Sequence, residues 1–594
     1  MKSPIIDPLT SAHDVAGAVF DPRVSTVIDA GAALTLRPAA VVMDLDRLGM
    51  MQPSRLSFMR TLVRRMVREA WRINEVCFAL DDEGYGEAIY CLQASLETYH
   101  FVVFSKPLED ALRNDRVISN QWDLTMALVR GHLSDAQLDE LRRNVPLQEA
   151  GRMDDNVLVL SRANKSSRSF AEAVACLAAG QQPDVERLRI TGYLCRTTAV
   201  YGSGKFGMAG WHVVKTSCQS FRTPFSGEMF TCYMLRHFAC RQVEHIARRR
   251  SPSTAVTIAP EIERYIGIGN ATGLGMAPFL IKHPVLISHW MTQRETALAR
   301  VLNQTDCDAV KLRALQSMLG RVAQHLQETT VAADYQTSRN QILVSACLDL
   351  IDLLSDAAFC EGLTSRGWRK LQTFVEDHYG PAAEELVQVL LFELYPDLVD
   401  PLEEFMAVDE SMDLDSGMPL IELLVLLETH YDWALNINFE DPNHHALFWY
   451  RSEEKMEPRL GDRACDVGAE REMPLLVALG VRQCFDAIQP YLAENPESLV
   501  VEFLMAHPDQ LATVRRVQTL CGLPYGDIRG NLSDRNLEPM HLLRAKLSFF
   551  GVGKFDPKSK LWVRNTMFQG APIVADLSQD VNPDHWYFPT APVL

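Results

Sequence analysis

Residues 308 to 400 constrain the fold most, because they read as nearly continuous helix. Apolar side chains recur there at three- and four-residue spacing, as in LVSACLDLIDLLSDAAF, and the run breaks only at Gly380-Pro381 and Pro396. Two further long helices are expected. One runs from Ser226 to Arg250, after Pro224 and before Ser251-Pro252; the other follows His283-Pro284. At 594 residues, 47% of them hydrophobic, the chain exceeds the roughly 250 to 300 residues beyond which a single core stops growing. We divide it into an N-terminal α+β region (1–150), a glycine-loop and helix region holding the candidate site (151–306), a helical region (307–400) and a helical, loop-rich C-terminal region (401–594).

Strand signals concentrate near the N-terminus. Glu87 to Leu92 and Thr98 to Phe104 read as an antiparallel pair, with Val41 to Leu45 and Val157 to Leu160 as further short strands. The expected fold is therefore α+β, predominantly α-helical, multi-domain, with a small, mainly antiparallel sheet in the N-terminal part.

The formal net charge of −18 disfavours nucleic acid as a partner. The N-terminus has no signal-like apolar run, and apolar stretches such as Leu424 to Leu427 are soon interrupted by acids, so no membrane partner and a cytoplasmic location are expected. Thirteen cysteines without a CxxC pair read as reduced core thiols. The segment Ser54 to Ile73 has helical spacing and carries Arg55, Arg60, Arg64, Arg65, Arg68 and Arg72 on its polar side, a face that salt bridges or solvent would satisfy.

Two GKF segments invite a nucleotide reading. YGSGKFG (201–207) and FGVGKF (550–555) both contain glycines before a lysine, but a P-loop needs a glycine five positions upstream and a hydroxyl after the lysine. Ala199 and Phe206 stand there in the first copy, Ser548 and Phe555 in the second, so neither is a Walker loop. YIGIGNATGLGMAPF, around Gly267, Gly269, Gly273 and Gly275, follows polar, helix-like residues instead of the apolar strand a dinucleotide fold requires. Its glycine density still marks a close backbone approach. On the helix between these segments, His237, Arg241 and His245 share one face at four-residue spacing.

These features predict an enzyme acting on a small anionic metabolite, a carboxylate or phosphate, with the reaction type open. Arg196, Thr197 and Lys205 would bind the anion together with Arg241. His237 or His245 would act as acid or base, and Asn270 and Thr272 would orient the substrate. The sequence assigns no cofactor and leaves a homo-oligomer open. A non-catalytic helical scaffold is the alternative reading. A second is a metal-dependent enzyme centred on residues 440–445, where Glu440, Asp441, His444 and His445 gather.

Overall fold

The computed structural model describes residues 25–592 apart from 30–31, 96, 108–121, 148–155, 167, 198–217, 224, 274–278, 306, 407–411, 442–447, 452–457, 462–469, 473–474, 531–537, 560–561, 580–581 and 583–585. Its centre is a nine-stranded sheet: β1 (Arg72–Leu80), β2 (Gly86–Gln93), β3 (Thr98–Ser105), β4 (Leu124–Arg130), β5 (Val157–Lys165), β6 (Tyr193–Thr197), β7 (Gly267–Gly273), β8 (Lys554–Ser559) and β9 (Trp562–Met567). The spatial order is β8-β9-β7-β6-β5-β4-β3-β2-β1. The sheet is thus larger than expected and not confined to the N-terminal part, since β7, β8 and β9 come from residues 267 to 567. The expected pair of strands is present as β2 and β3, in register with Tyr90 opposite Phe101.

Alternation along the strands builds two cores. Phe101, Val103, Met126 and Leu128 face the main core, whereas Val102, Phe104, Ala127 and Val129 face a smaller one shared with Leu141 and Val145. With both faces covered, these strands read as unbroken apolar runs. Val41 to Leu45 is not a strand: two short helices, Ala39–Val42 and Leu45–Leu48, meet at Asp44, whose side chain accepts from Asp46 N at 2.9 Å and caps the second.

The arginine-bearing segment forms α1 (Phe58–Arg68), shorter than its periodicity predicts, and most of its guanidinium groups point inward, Arg68 being half exposed. Arg55, Arg60, Arg64 and Arg65 are all buried. The helices that follow are α2 (Ser226–Arg250), α3 (Pro260–Tyr265), α4 (Pro284–Leu302), α5 (Ala309–Glu328), α6 (Asp334–Leu353) and α7 (Trp368–Leu394), the last kinked at Gly380-Pro381. Carboxylates of α7 and the turn after it receive the arginines. Arg55 binds Asp400 and Glu393, Arg60 binds Glu393, Arg64 and Arg68 bind Glu403, and Arg37, Arg47 and Arg294 converge on Glu384 and Glu385. Burial alone would raise the Glu385 carboxyl, but Arg294, Arg37 and Arg47 hold it below the usual carboxylate range. Buried ion pairs of this kind must be matched on both sides, so the seam fixes how the N-terminal helices sit on the α-helical layer.

A separate apolar core gathers Leu420, Leu423, Leu427, Ala478, Val481, Cys484, Val500, Phe503, Val514 and Val517. It includes α8 (Leu420–His430) and α9 (Val500–Ala506). The chain then returns through α10 (Glu538–Phe550) to the sheet. Among the described residues no helix is long and apolar enough to cross a membrane.

Candidate functional site

Every neighbouring strand pair in the nine-stranded sheet is antiparallel except one. β6 and β7 run parallel, joined by a crossover whose long element is α2. The up-down alternation of the sheet therefore lapses at this place, and both strands deliver their carboxyl ends to the same side. β6 is short: its last described residue, Thr197, pairs with Ala163, and β5 and β7 both continue beyond it.

The amino end of α2 lies at that side. A Cβ on Gly227 would come within 3.2 Å of Val159 Cγ2 and 3.7 Å of Leu128 Cδ2, so the first turn of the helix rests on β4 and β5. The N-cap side chain makes no hydrogen bond to it, Ser226 N donates to the Thr223 carbonyl at 3.2 Å, and the buried Glu228 stands in its first turn. The residue before the helix, Phe225, is buried in the left-handed region at φ 60°, held by the rings of Phe58, Phe549 and Phe550. A bulky residue in that region is strained and persists only where its surroundings impose it.

Polar side chains cross the same part of the sheet on the face turned to the main core. Ser161, Thr197, Asn270, Thr272 and Asn565 are each at most 2% exposed. Their hydrogen bonds run one way, and the direction follows from chemistry. The Thr197 carbonyl can only accept, so Asn270 turns its Nδ2 to it, at 3.1 Å. Asn270 Oδ1 then faces Thr272, whose hydroxyl donates to it at 3.3 Å. That hydroxyl in turn accepts from Asn565 Nδ2 at 3.2 Å. The series ends on Asn565 Oδ1, a buried acceptor without a hydrogen-bond partner. An acceptor in that state costs roughly 1 to 3 kcal/mol unless something donates to it.

Three of the residues selected from sequence, Thr197, Asn270 and Thr272, thus meet directly. GIGNATG is a strand, not a loop. Gly267 and Gly269 lie on its other face, where ideal Cβ atoms would come within 2.5 Å of Met567 O and 2.6 Å of the Tyr193 ring. Arg196, adjacent to Thr197 in β6, projects from the opposite face and pairs in register with Asn164 and Gly269. Lys205 lies outside the described residues.

The stripe on α2 sits elsewhere. His237 begins 11 residues into the helix, about 16 Å from its amino end at 1.5 Å per residue. Its ring packs edge-on against Tyr90, with Nδ1 3.7 Å from Glu263 of α3. Arg241 pairs with Glu244 at 3.0 Å and Glu75 at 3.8 Å. His245 Nε2 bonds the Asp81 carbonyl at 2.8 Å and its ring meets Phe78. These contacts fasten α2 to β1, β2 and α3, a separate surface from that of Asn270 and Thr272.

Asn565 and Ser161 were not selected from the sequence. The usable signal at Asn565 is its place in WVRNTM, where it stands between Val563 and Met567 on an apolar face. The segment 550–555, by contrast, is a helix end followed by β8, with Lys554 Nζ donating to the carbonyls of Arg189 and Ile190.

Two concavities lie elsewhere among the described residues. One between Arg60, Gly551, Thr566, Trp586 and Tyr587 measures about 30 Å³, the space of a single water. Another, about 570 Å³, is an open groove between α5 and α6 lined by Leu326, Thr330, Asn340, Val344 and Leu348. Among the described residues no group of three or more His, Cys, Asp or Glu could hold a metal ion, and His444 and His445 lie outside them. Comparison with protein-family models, with curated proteins and with solved structures gives no match.

Proposed function

We propose that the chain is a cytoplasmic enzyme acting on a small anionic metabolite, a carboxylate or phosphate. The metabolite binds where the carboxyl ends of β6 and β7 meet the amino end of α2. The observation that carries this reading is the one-way run of buried hydrogen bonds that ends on the bare Asn565 Oδ1. Topology is in keeping with it, because ligands of α/β crossovers bind outside the carboxyl ends of the parallel strands, and β6 and β7 are such a pair. The dipole of the 25-residue α2 adds to it, since the amino end of a helix favours negative charge, here shared with the buried Glu228 of its first turn.

In this reading the α2 amino end and Lys205 take the anionic group, while Asn565 Oδ1 accepts from a hydroxyl or N–H elsewhere on the same molecule. Asn270 and Thr272 orient Asn565 without touching the substrate themselves. His237 and His245 stay with their structural partners and are not required.

The test is a thermal-shift screen of carboxylated and phosphorylated metabolites, followed by NMR detection of product for any compound that stabilises the protein. A stabilising compound whose effect disappears in Asn565→Leu and Lys205→Ala supports the site. One that stabilises both variants as well as the parent protein rules it out. Binding without turnover favours the scaffold reading, to which the extensive buried ion-pair seam also lends itself.

A further inference from the structure

The acids of this chain are distributed unevenly. Between Leu371 and Tyr450 there are 18 Asp and Glu and no Lys or Arg, so this stretch alone accounts for the net charge of −18. Its first part is neutralised in the fold: Glu384, Glu385, Glu393, Asp400 and Glu403 receive the buried arginines. In its second part α8 carries Glu422 and Glu428, both exposed and without an ion-pair partner among the described residues.

The same helix exposes apolar side chains, and so does its neighbour. Pro419 and Leu499 form an antiparallel bridge, with Leu420 N donating to Ser498 O at 2.8 Å and Val500 N to Met418 O at 2.9 Å, so α8 and α9 start side by side. Each sends one set of residues into the small core: Leu420, Leu423 and Leu427 from α8, Val500 and Phe503 from α9. Each leaves an i,i+4 pair outside: Ile421 and Val425 (50% and 49% exposed), Val501 and Met505 (40% and 81%). Neither helix contains a lysine or arginine.

We propose that this face docks a basic amphipathic helix from another protein. Clustered exposed apolar side chains mark interaction sites, and paired i,i+4 positions match the spacing of apolar anchors on a docked helix. Unpaired acids at the rim choose the partner's charge: they attract lysine and arginine flanks and repel anionic lipid and nucleic acid. The chain's own arginine-rich helix α1 is already consumed by the seam, so it is not the occupant.

Fluorescence anisotropy of the full chain with a labelled synthetic helix of about 16 residues, leucine on one face and lysine on the other, tests this. A matched peptide with glutamate in place of lysine is the control. The basic peptide should bind and weaken as salt is raised. It should lose about tenfold in affinity in Val425→Ser/Met505→Ser and again in Glu422→Lys/Glu428→Lys, with the melting temperature of both variants unchanged. Equal binding of the two peptides, or affinity that neither double variant alters, overturns the proposal. So does a dimer in sedimentation that the serine variant dissolves, or flotation with phosphatidylglycerol vesicles when the peptide does not bind.

Discussion

Arg60 grips Glu393 with both ends of its guanidinium fork, Nη1 to Oε1 at 2.6 Å and Nη2 to Oε2 at 2.9 Å, while Arg55 adds a third hydrogen bond at 2.9 Å. One carboxylate therefore serves two buried arginines. Glu393→Ala would take the fork from Arg60 and leave Arg55 to Asp400, and breaking a buried pair costs about 3 to 5 kcal/mol in comparable settings. Urea denaturation should register that loss, and Glu393→Gln should recover only part of it, since an amide keeps one acceptor but no charge. A variant as stable as the parent would mean that the seam contributes little to holding α1 in place.

The glycines of β7 are explained by their strand neighbours, and the two nearest differ in what they would strike. A methyl at Gly267 meets a backbone carbonyl, Met567 O, which cannot swing away; a methyl at Gly269 meets the Tyr193 ring, which can be removed. Gly267→Ala should therefore cost about 3 kcal/mol or more and resist rescue. Gly269→Ala should regain most of its loss when combined with Tyr193→Leu, giving a coupling of about 1 kcal/mol or more in a double-mutant cycle.

Helices and the β2–β3 hairpin were legible because their periods are local: 3.6 for Ser226 to Arg250, 2 for the alternation around Tyr90 and Phe101. The sheet's extent was not, since β7 reads GIGNATG, a composition with almost no β-propensity, and is a strand only because β6 and β9 flank it. The same holds for the site. Thr197, Asn270 and Thr272 were singled out by proximity to glycines, and tertiary pairing joins them. Asn565, almost 300 residues from Asn270, is brought opposite it by register alone. The α2 stripe was legible as one face, but nothing in its spacing reveals that Glu75, Asp81 and Glu263 wait on the other side.

Lys554 predicts a pH dependence. Burial pushes its ammonium down to about 8, against an ordinary lysine near 10.4, although it donates to the carbonyls of Arg189 and Ile190. Between these values the folded chain holds fewer protons than the unfolded one, so stability rises with pH. The penalty is fully present below about 8 and disappears as pH approaches the unfolded value, a gain of about 3 kcal/mol at most. Lys554→Met should flatten this part of the profile, measured as the difference in urea midpoint between the two proteins from about pH 7 to 10. Parallel profiles for the two would place the rise on another group, for which Lys546, buried and pushed down to about 7, is the next to substitute.

Asn270 and Asn565 are the same residue type, paired in register and equally buried, yet their substitution should have opposite effects. Asn270→Leu removes the donor to the Thr197 carbonyl and the acceptor for the Thr272 hydroxyl, two hydrogen bonds between buried groups. A loss of roughly 2 kcal/mol or more is expected. Asn565→Leu loses its donation to the Thr272 hydroxyl, worth about 1 kcal/mol, but also removes a partnerless acceptor that costs about 1 to 3 kcal/mol, and the hydroxyl keeps its own acceptor, so the ligand-free protein should be no less stable and gain up to about 1 kcal/mol. A residue whose removal stabilises the empty protein is kept for something other than folding, and the trade appears when a bound metabolite stabilises the parent but not Asn565→Leu. Equal destabilisation by both leucine variants would assign Asn565 a purely structural part and remove the chief support for a ligand at this place.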